Sequence, residues 1–157
     1  MQAKWMGEHY KIKKAYRSGT RFRLYISNNE PAYVYAFASD LTGGIYPIFP
    51  HKKGISPALT YNGNEVAIPD EDHYIAMDDT VGSDFLCVLY AKEELDIEAI
   101  RQEVAAASGD FVTKVKKALG NQSVIPSDIK YTKSKIEFSA VSHGKTVVPL
   151  IVETKHL

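Results

Sequence analysis

"PAYVYAFASDLTGGIYPIFP", residues 31–50, decides how the rest of the chain is read. It concentrates Tyr33, Tyr35, Phe37, Tyr46 and Phe49 in one run, which suits either an exposed gripping surface or the inside of a sheet. Side chains alternate along a strand with period two. Tyr33, Tyr35 and Phe37 therefore share one face of "AYVYAFAS", and Ala32, Val34, Ala36 and Ala38 share the other. Neither face is charged, which predicts a central strand covered on both sides. "SDLTGG" supplies a reversal, with Gly43 and Gly44 free to take positive φ, and "IYPIF" returns as the partner strand. Pro47 has no N–H to give to a ladder, so this return is expected at an edge or with a bulge. The small side chains of the alanine face predict the seat of a helix.

Towards the N-terminus, "EHYKIKKAYR" (8–17) alternates loosely and reads as an exposed or edge strand whose lysines discourage pairing with other sheets. "RFRLYIS" (21–27) alternates cleanly, with Phe22, Leu24 and Ile26 predicted inward. Towards the C-terminus, a Gly-, Pro- and Asn-rich connection follows Phe49, then "VAIP" and "HYIAM" as short strands around acidic turns. "FLCVLYA" (85–91) is a continuous apolar run and reads as a buried central strand.

The period then changes. Ile97, Ile100, Val104 and Ala107 fall on one helical face, with Asp96 placed to cap it. Gly109 ends that helix, and Asp110 caps a second one carrying Phe111, Val112, Val115 and Leu119, ending at Gly120. Residues 134–154 read as a closing hairpin turned by His143 and Gly144. The predicted fold is a single domain over 1–157, mainly β with two helices (α+β). It is an antiparallel β-sandwich or partly open barrel, with a helix pair (96–120) on one face and a C-terminal hairpin.

Composition narrows the function classes. At 157 residues the chain buries roughly 70% of its unfolded surface and needs no metal or disulfide to fold. Lys plus Arg and Asp plus Glu number 19 each, which argues against a general electrostatic grip on nucleic acid. No stretch approaches the ~20 apolar residues of a membrane helix. The start, "MQAKWMGEHY", lacks the apolar core of a signal peptide. Met1 as a native start points to the cytoplasm; a domain cut from a longer precursor points to an exported or envelope setting.

Chemistry-bearing residues are sparse. His9, His51, His73, His143 and His156 show no i, i+4 zinc spacing, and no set of cysteines accompanies them. Cys87, the one cysteine, lies among Phe85, Leu86, Val88 and Leu89 and reads as a small buried hydrophobe. No serine sits in a G-x-S-x-G elbow. Asp70, Glu71, Asp72, Asp78, Asp79 and Asp84 offer oxygens suited to calcium, but not in EF-hand register, and read as solvated turns. Lys11, Lys13, Lys14, Arg17, Arg21 and Arg23 lie on neighbouring strands. They form either a modest positive patch for a phosphate, lipid headgroup or acidic partner, or ordinary edge protection.

The order of motifs carries a resemblance. "GTRFRL" (19–24), "YVYAF" (33–37), "IFP" (48–50), "AIP" (67–69) and "GSDFLCVLYA" (82–91) together resemble a bacterial domain-of-unknown-function family, number 4384. The residues that carry it are Gly19, Tyr33, Tyr35, Phe37, Phe49, Pro50, Ile68, Pro69 and Gly82, across roughly residues 19–91. Where relatives often place an asparagine-rich loop after Phe-Pro, this chain has His51, Lys52 and Lys53. The resemblance implies a small accessory domain appended to other modules, with no catalytic residues to carry over.

The expected function is therefore non-enzymatic: an accessory or interaction domain of a larger bacterial protein that recognises a protein partner through a few aromatic anchors. Tyr25 and Tyr61 are the surface candidates. The second expectation is a small-molecule or metal-binding domain using the acidic turns or the 51–64 loop. An uncharacterised enzyme is third. No catalytic residue, metal ligand or cofactor is assigned, and no nucleic-acid partner or membrane insertion is expected.

Overall fold

The computed structural model describes residues 3–17, 19–22, 24–26, 31–39, 44–50, 56, 58–59, 66–68, 75–76, 82–141 and 144–156. In chain order the strands are β1 (Ala3–Trp5), β2 (Tyr10–Ile12), β3 (Arg21–Phe22), β4 (Leu24–Ile26), β5 (Ala32–Ser39), β6 (Ile45–Phe49), β7 (Ala58–Leu59), β8 (Val66–Ile68), β9 (Ile75–Ala76) and β10 (Gly82–Ala91). Helices α1 (Ile97–Ala106) and α2 (Phe111–Leu119) follow, then β11 (Ile129–Tyr131), β12 (Phe138–Ala140) and β13 (Val147–His156). The α+β class expected from the sequence is the class observed.

One open, mixed sheet dominates. Its order is β1-β2-β13-β10-β5-β6, with β7 also pairing with β5. Three two-stranded pairs lie outside it: β3–β9, β4–β8 and β11–β12. Pairing among these strands is antiparallel except between β2 and β13, which run parallel with Val152 opposite Tyr10 and Glu153 opposite Lys11. The sheet is not closed into a barrel.

Strand β5 of the 31–50 run is interior. Tyr35 and Phe37 are buried, Tyr33 half-buried, and all three pack with α1 and α2 through Ile100, Val104, Phe111, Val115 and Leu119. Burying a side chain as large as Phe37 contributes about 2–3 kcal/mol. The helix pair therefore sits on the aromatic face, which corrects the alanine-face expectation. Val34 and Ala36 instead enter a cluster on the opposite face with Tyr10, Phe49, Leu86, Val88, Leu150 and Val152. Small side chains on that face leave room for these larger ones. Two narrow helices need bulky rings beneath them to fill the space, and Tyr35 and Phe37 supply those.

Pro47 behaves as its chemistry requires. β6 ends the strand order, and its register against β5 shifts between Ala36 and Phe37, so the strand is both an edge and bulged.

The helix signals read from the sequence hold locally. The Asp96 carboxylate accepts from the Ala99 N–H and the Asp110 carboxylate from the Thr113 N–H, each satisfying a free first-turn donor. Gly120 takes a positive φ of 53° at the C-cap of α2, a conformation glycine adopts without a Cβ penalty.

The closing hairpin is corrected. Residues 138–140 pair with β11 rather than with β13, matching Ile129 to Ala140 and Tyr131 to Phe138. β13 instead pairs with β10 over ten positions, from Val147–Ala91 to His156–Gly82. Its two faces explain this. Val147 and Ile151 face the helix-side cluster, while Leu150 and Val152 face the other. A strand apolar on both faces is best buried against a long partner such as ten-residue β10, which three-residue β12 with two exposed positions cannot replace. Pro149 is tolerated in this interior strand because its carbonyl accepts from Tyr131 Oη at 2.8 Å and so points away from the β10 ladder. In an antiparallel pair the N of the same residue points the same way, and no ladder bond is lost.

The exposed-edge reading of residues 8–17 is corrected in part as well. Tyr10 and Ile12 are buried and Lys11 is exposed, as alternation predicts, but β1 lies outside β2 and takes the edge. The inward positions expected in 21–27 belong to β3 and β4, whose side-chain burial lies outside the described residues.

Candidate functional site

A polar cluster among the described side chains forms where β2, β10 and β13 run together beside the start of α2. β13 is apolar up to Val152, and Glu153 is the first charge on it. The parallel contact sets Glu153 opposite Lys11, and the antiparallel one sets it opposite Phe85. Glu153 Oε2 is 2.9 Å from His9 Nε2, and Oε1 accepts from Ser83 Oγ at 2.9 Å. Lys11 Nζ lies farther, at 4.0 Å from Oε1. The His9 ring meets the Phe85 ring edge-on, and Phe85 packs on Phe111 of α2.

The electrostatics follow from that geometry. Burial pushes the Glu153 carboxyl up, but the hydrogen bonds from His9 and Ser83, with the charges of Lys11 and His9, outweigh it and hold the group below its usual range. The Asp110 carboxyl is also lowered, first by the Thr113 backbone N–H and hydroxyl, then by Lys116 and His9. Glu8 and Lys116, 2.9 Å apart, tie the β1–β2 turn to α2. The cluster therefore links the N-terminal strands, the central sheet and the second helix.

Its chemistry is limited by its connectivity. Ser83 gives its proton to Glu153, not to the imidazole, so the imidazole is not placed to activate that hydroxyl. A carboxylate stabilised in its charged form is a weak base at neutral pH. Cys87 is fully buried and burial pushes its thiol far up, which suppresses the thiolate. The arrangement suits fastening more than proton transfer.

Most sequence-predicted candidates lie outside the described side chains. Tyr25 lies in β4 opposite Ala67; its side chain lies outside the described residues, as does Tyr61 altogether. Asp70, Glu71, Asp72, Asp78 and Asp79, and most of the 51–64 loop, are likewise outside them; Asp84 lies in β10. Among the described residues no group of three His, Cys, Asp or Glu stands in metal-binding proximity. His51, His73 and His143 are outside the described residues, and only the backbone of His156 is described. Sequence reading missed Glu153, although a lone acid closing the apolar run "VVPLIVE" was a usable signal. It also passed over Tyr46 as an anchor; at 49% exposure this tyrosine stands out on the edge strand β6.

Of the motif residues, Gly19 and Gly82 take positive φ of 79° and 136°, and the Phe49–Pro50 peptide is cis. Phe49 is buried, Ile68 lies in β8, and Pro69 is outside the described residues. Among the described residues no helix is long and apolar enough to cross a membrane. A family model described as a domain of unknown function, DUF4384, matches residues 15–94. No curated protein and no solved structure gives a significant match.

Proposed function

The chain belongs to the DUF4384 family of domains of unknown function, and from that premise we propose that it is a non-catalytic interaction module of a larger bacterial protein. The observation that carries this reading is the direction of the Ser83 proton, towards Glu153 and away from His9. It turns the most reaction-like cluster among the described residues into a fastener. Recognition then falls to exposed Tyr46, together with Tyr25 and Tyr61 as the anchors expected from the sequence, tyrosine being a residue type that carries much of the affinity at protein interfaces.

Quantitative pull-down from the native host separates this reading from an enzymatic one. Proteins recovered with the parent are expected to be lost with Tyr46→Ala, or with Tyr25→Ala and Tyr61→Ala, and retained with Ser83→Ala. Retention by every tyrosine variant, together with loss of the host phenotype on Ser83→Ala, contradicts it.

A further inference from the structure

Charge is unevenly distributed in this balanced chain. Between residues 3 and 22 lie Lys4, Lys11, Lys13, Lys14, Arg17 and Arg21, against Glu8 as the acidic residue. Lys4 stands directly opposite Lys11 across the β1–β2 pair, and both are exposed. Like charges at that position destabilise a hairpin. Of the nearby acids, Glu8 pairs with Lys116, and Glu153, which accepts from His9 and Ser83, reaches Lys11 only at 4.0 Å. Among the described residues, Lys4, Lys13 and Arg17 have no acidic partner.

Edge protection accounts for Lys4 on the outermost strand but not for Lys11. The outermost strand is β1, and its Trp5 N–H is already bonded to the Lys133 carbonyl at 3.0 Å. Lys11 lies on β2, which has strands on both sides. We infer that the exposed basic row Lys4, Lys11 and Lys13, extended by Lys14 and Arg17, is a docking surface for an extended acidic peptide. Lys4 and Lys11 sit side by side on neighbouring strands and Lys13 follows just beyond the end of β2, so closely set positive charges are presented that the carboxylates of an acidic peptide complement. A single-stranded nucleic acid fits less well, because it needs aromatic faces for its bases. Trp5 is stacked on Tyr131 with ring centroids 3.9 Å apart, and Tyr10 is buried. A membrane surface fits less well too, since Met6 is the one large apolar side chain exposed within residues 3–22 among those described. The test of this inference does not depend on the aromatic anchors.

The test is a titration of the purified protein, at low and at high salt, with a labelled peptide of alternating Glu and Ser. Oligothymidine and phosphatidylserine-containing vesicles serve as competing probes. Peptide binding is expected to weaken about tenfold in Lys4→Glu/Lys11→Glu, and to fall with salt. Lys4→Glu alone is expected to weaken binding while leaving the melting temperature equal or higher, because it creates an opposite-charge pair with Lys11. Lys4→Gln/Lys11→Gln serves if the double reversal unfolds, with a smaller loss expected. Peptide affinity indifferent to these substitutions overturns the inference, as does stronger binding of oligothymidine or vesicles than of the peptide.

Discussion

His9 and Glu153 are 144 residues apart in sequence and 2.9 Å apart in space, Nε2 to Oε2. The pair joins the N-terminal strands to the last strand of the chain, and both side chains are mostly sheltered from solvent. Because the folded Glu153 carboxyl is held below its usual range, its contribution to stability is fully present above the ordinary carboxylate pKa. That contribution is lost as pH falls through the lowered value. Glu153→Gln is therefore expected to cost about 1–2 kcal/mol at neutral pH, where hydrogen bonds to a charged group are removed. The difference from the parent should shrink on acidification below pH ~4. Urea melts across that range check it; a gap that widens in acid contradicts it.

Tyr10 Oη lies 2.7 Å from the Thr132 carbonyl and 2.8 Å from the Glu137 carbonyl, pinning the β11–β12 connection to the sheet. One hydroxyl proton serves these two acceptors. Tyr10→Phe keeps the ring packed against Trp5 but removes the pin, at an expected cost of about 1–2 kcal/mol. Hydrogen exchange should accelerate at Thr132, whose N–H bonds the Glu137 carbonyl, more than at Val88 in the central sheet.

Phe37 is fully buried and meets the Phe111 ring edge-on at 6.1 Å, at the seat of the helices. Phe37→Ala is expected to destabilise by about 3–5 kcal/mol, through lost burial and the cavity left behind. Tyr46→Ala, on the exposed edge strand, is expected to change stability by about 0.5 kcal/mol or less. Denaturant midpoints of the two variants test which aromatics of the 31–50 run belong to the fold.

Cys87 packs with Tyr35, Leu89 and Ile151 in the helix-side cluster, and burial raises its thiol. A thiol reagent is expected to react at the rate of unfolding in native buffer and at once in denaturant. Rapid labelling of the folded protein contradicts this.

Much of the fold was legible because local chemistry agreed with it. Alternation placed Tyr35 and Phe37 on one face, Pro47 marked an edge and bulge, and Asp96, Asp110 and Gly120 marked helix ends. The choice of face for the helices was not legible. Local pattern separates the two faces of β5 but does not say which one the rest of the chain covers. The partner of β13 was hidden for a related reason: pairing Val147 with Ala91 rather than with a nearby strand is a gain in total burial, not a local preference. The Glu153 cluster was invisible because His9, Ser83 and Glu153 are brought together only by strand order and register.

The interaction reading is tested most directly by site-specific photocrosslinking in the full-length protein, in its native host. A photoreactive residue would stand at position 25, 46 or 61, with exposed Glu103 on α1 as the control position. A discrete adduct, with the same protein or neighbouring domain from at least one of the three positions and none from 103, is the predicted result. Adducts no different from those at position 103 would contradict recognition through these aromatics.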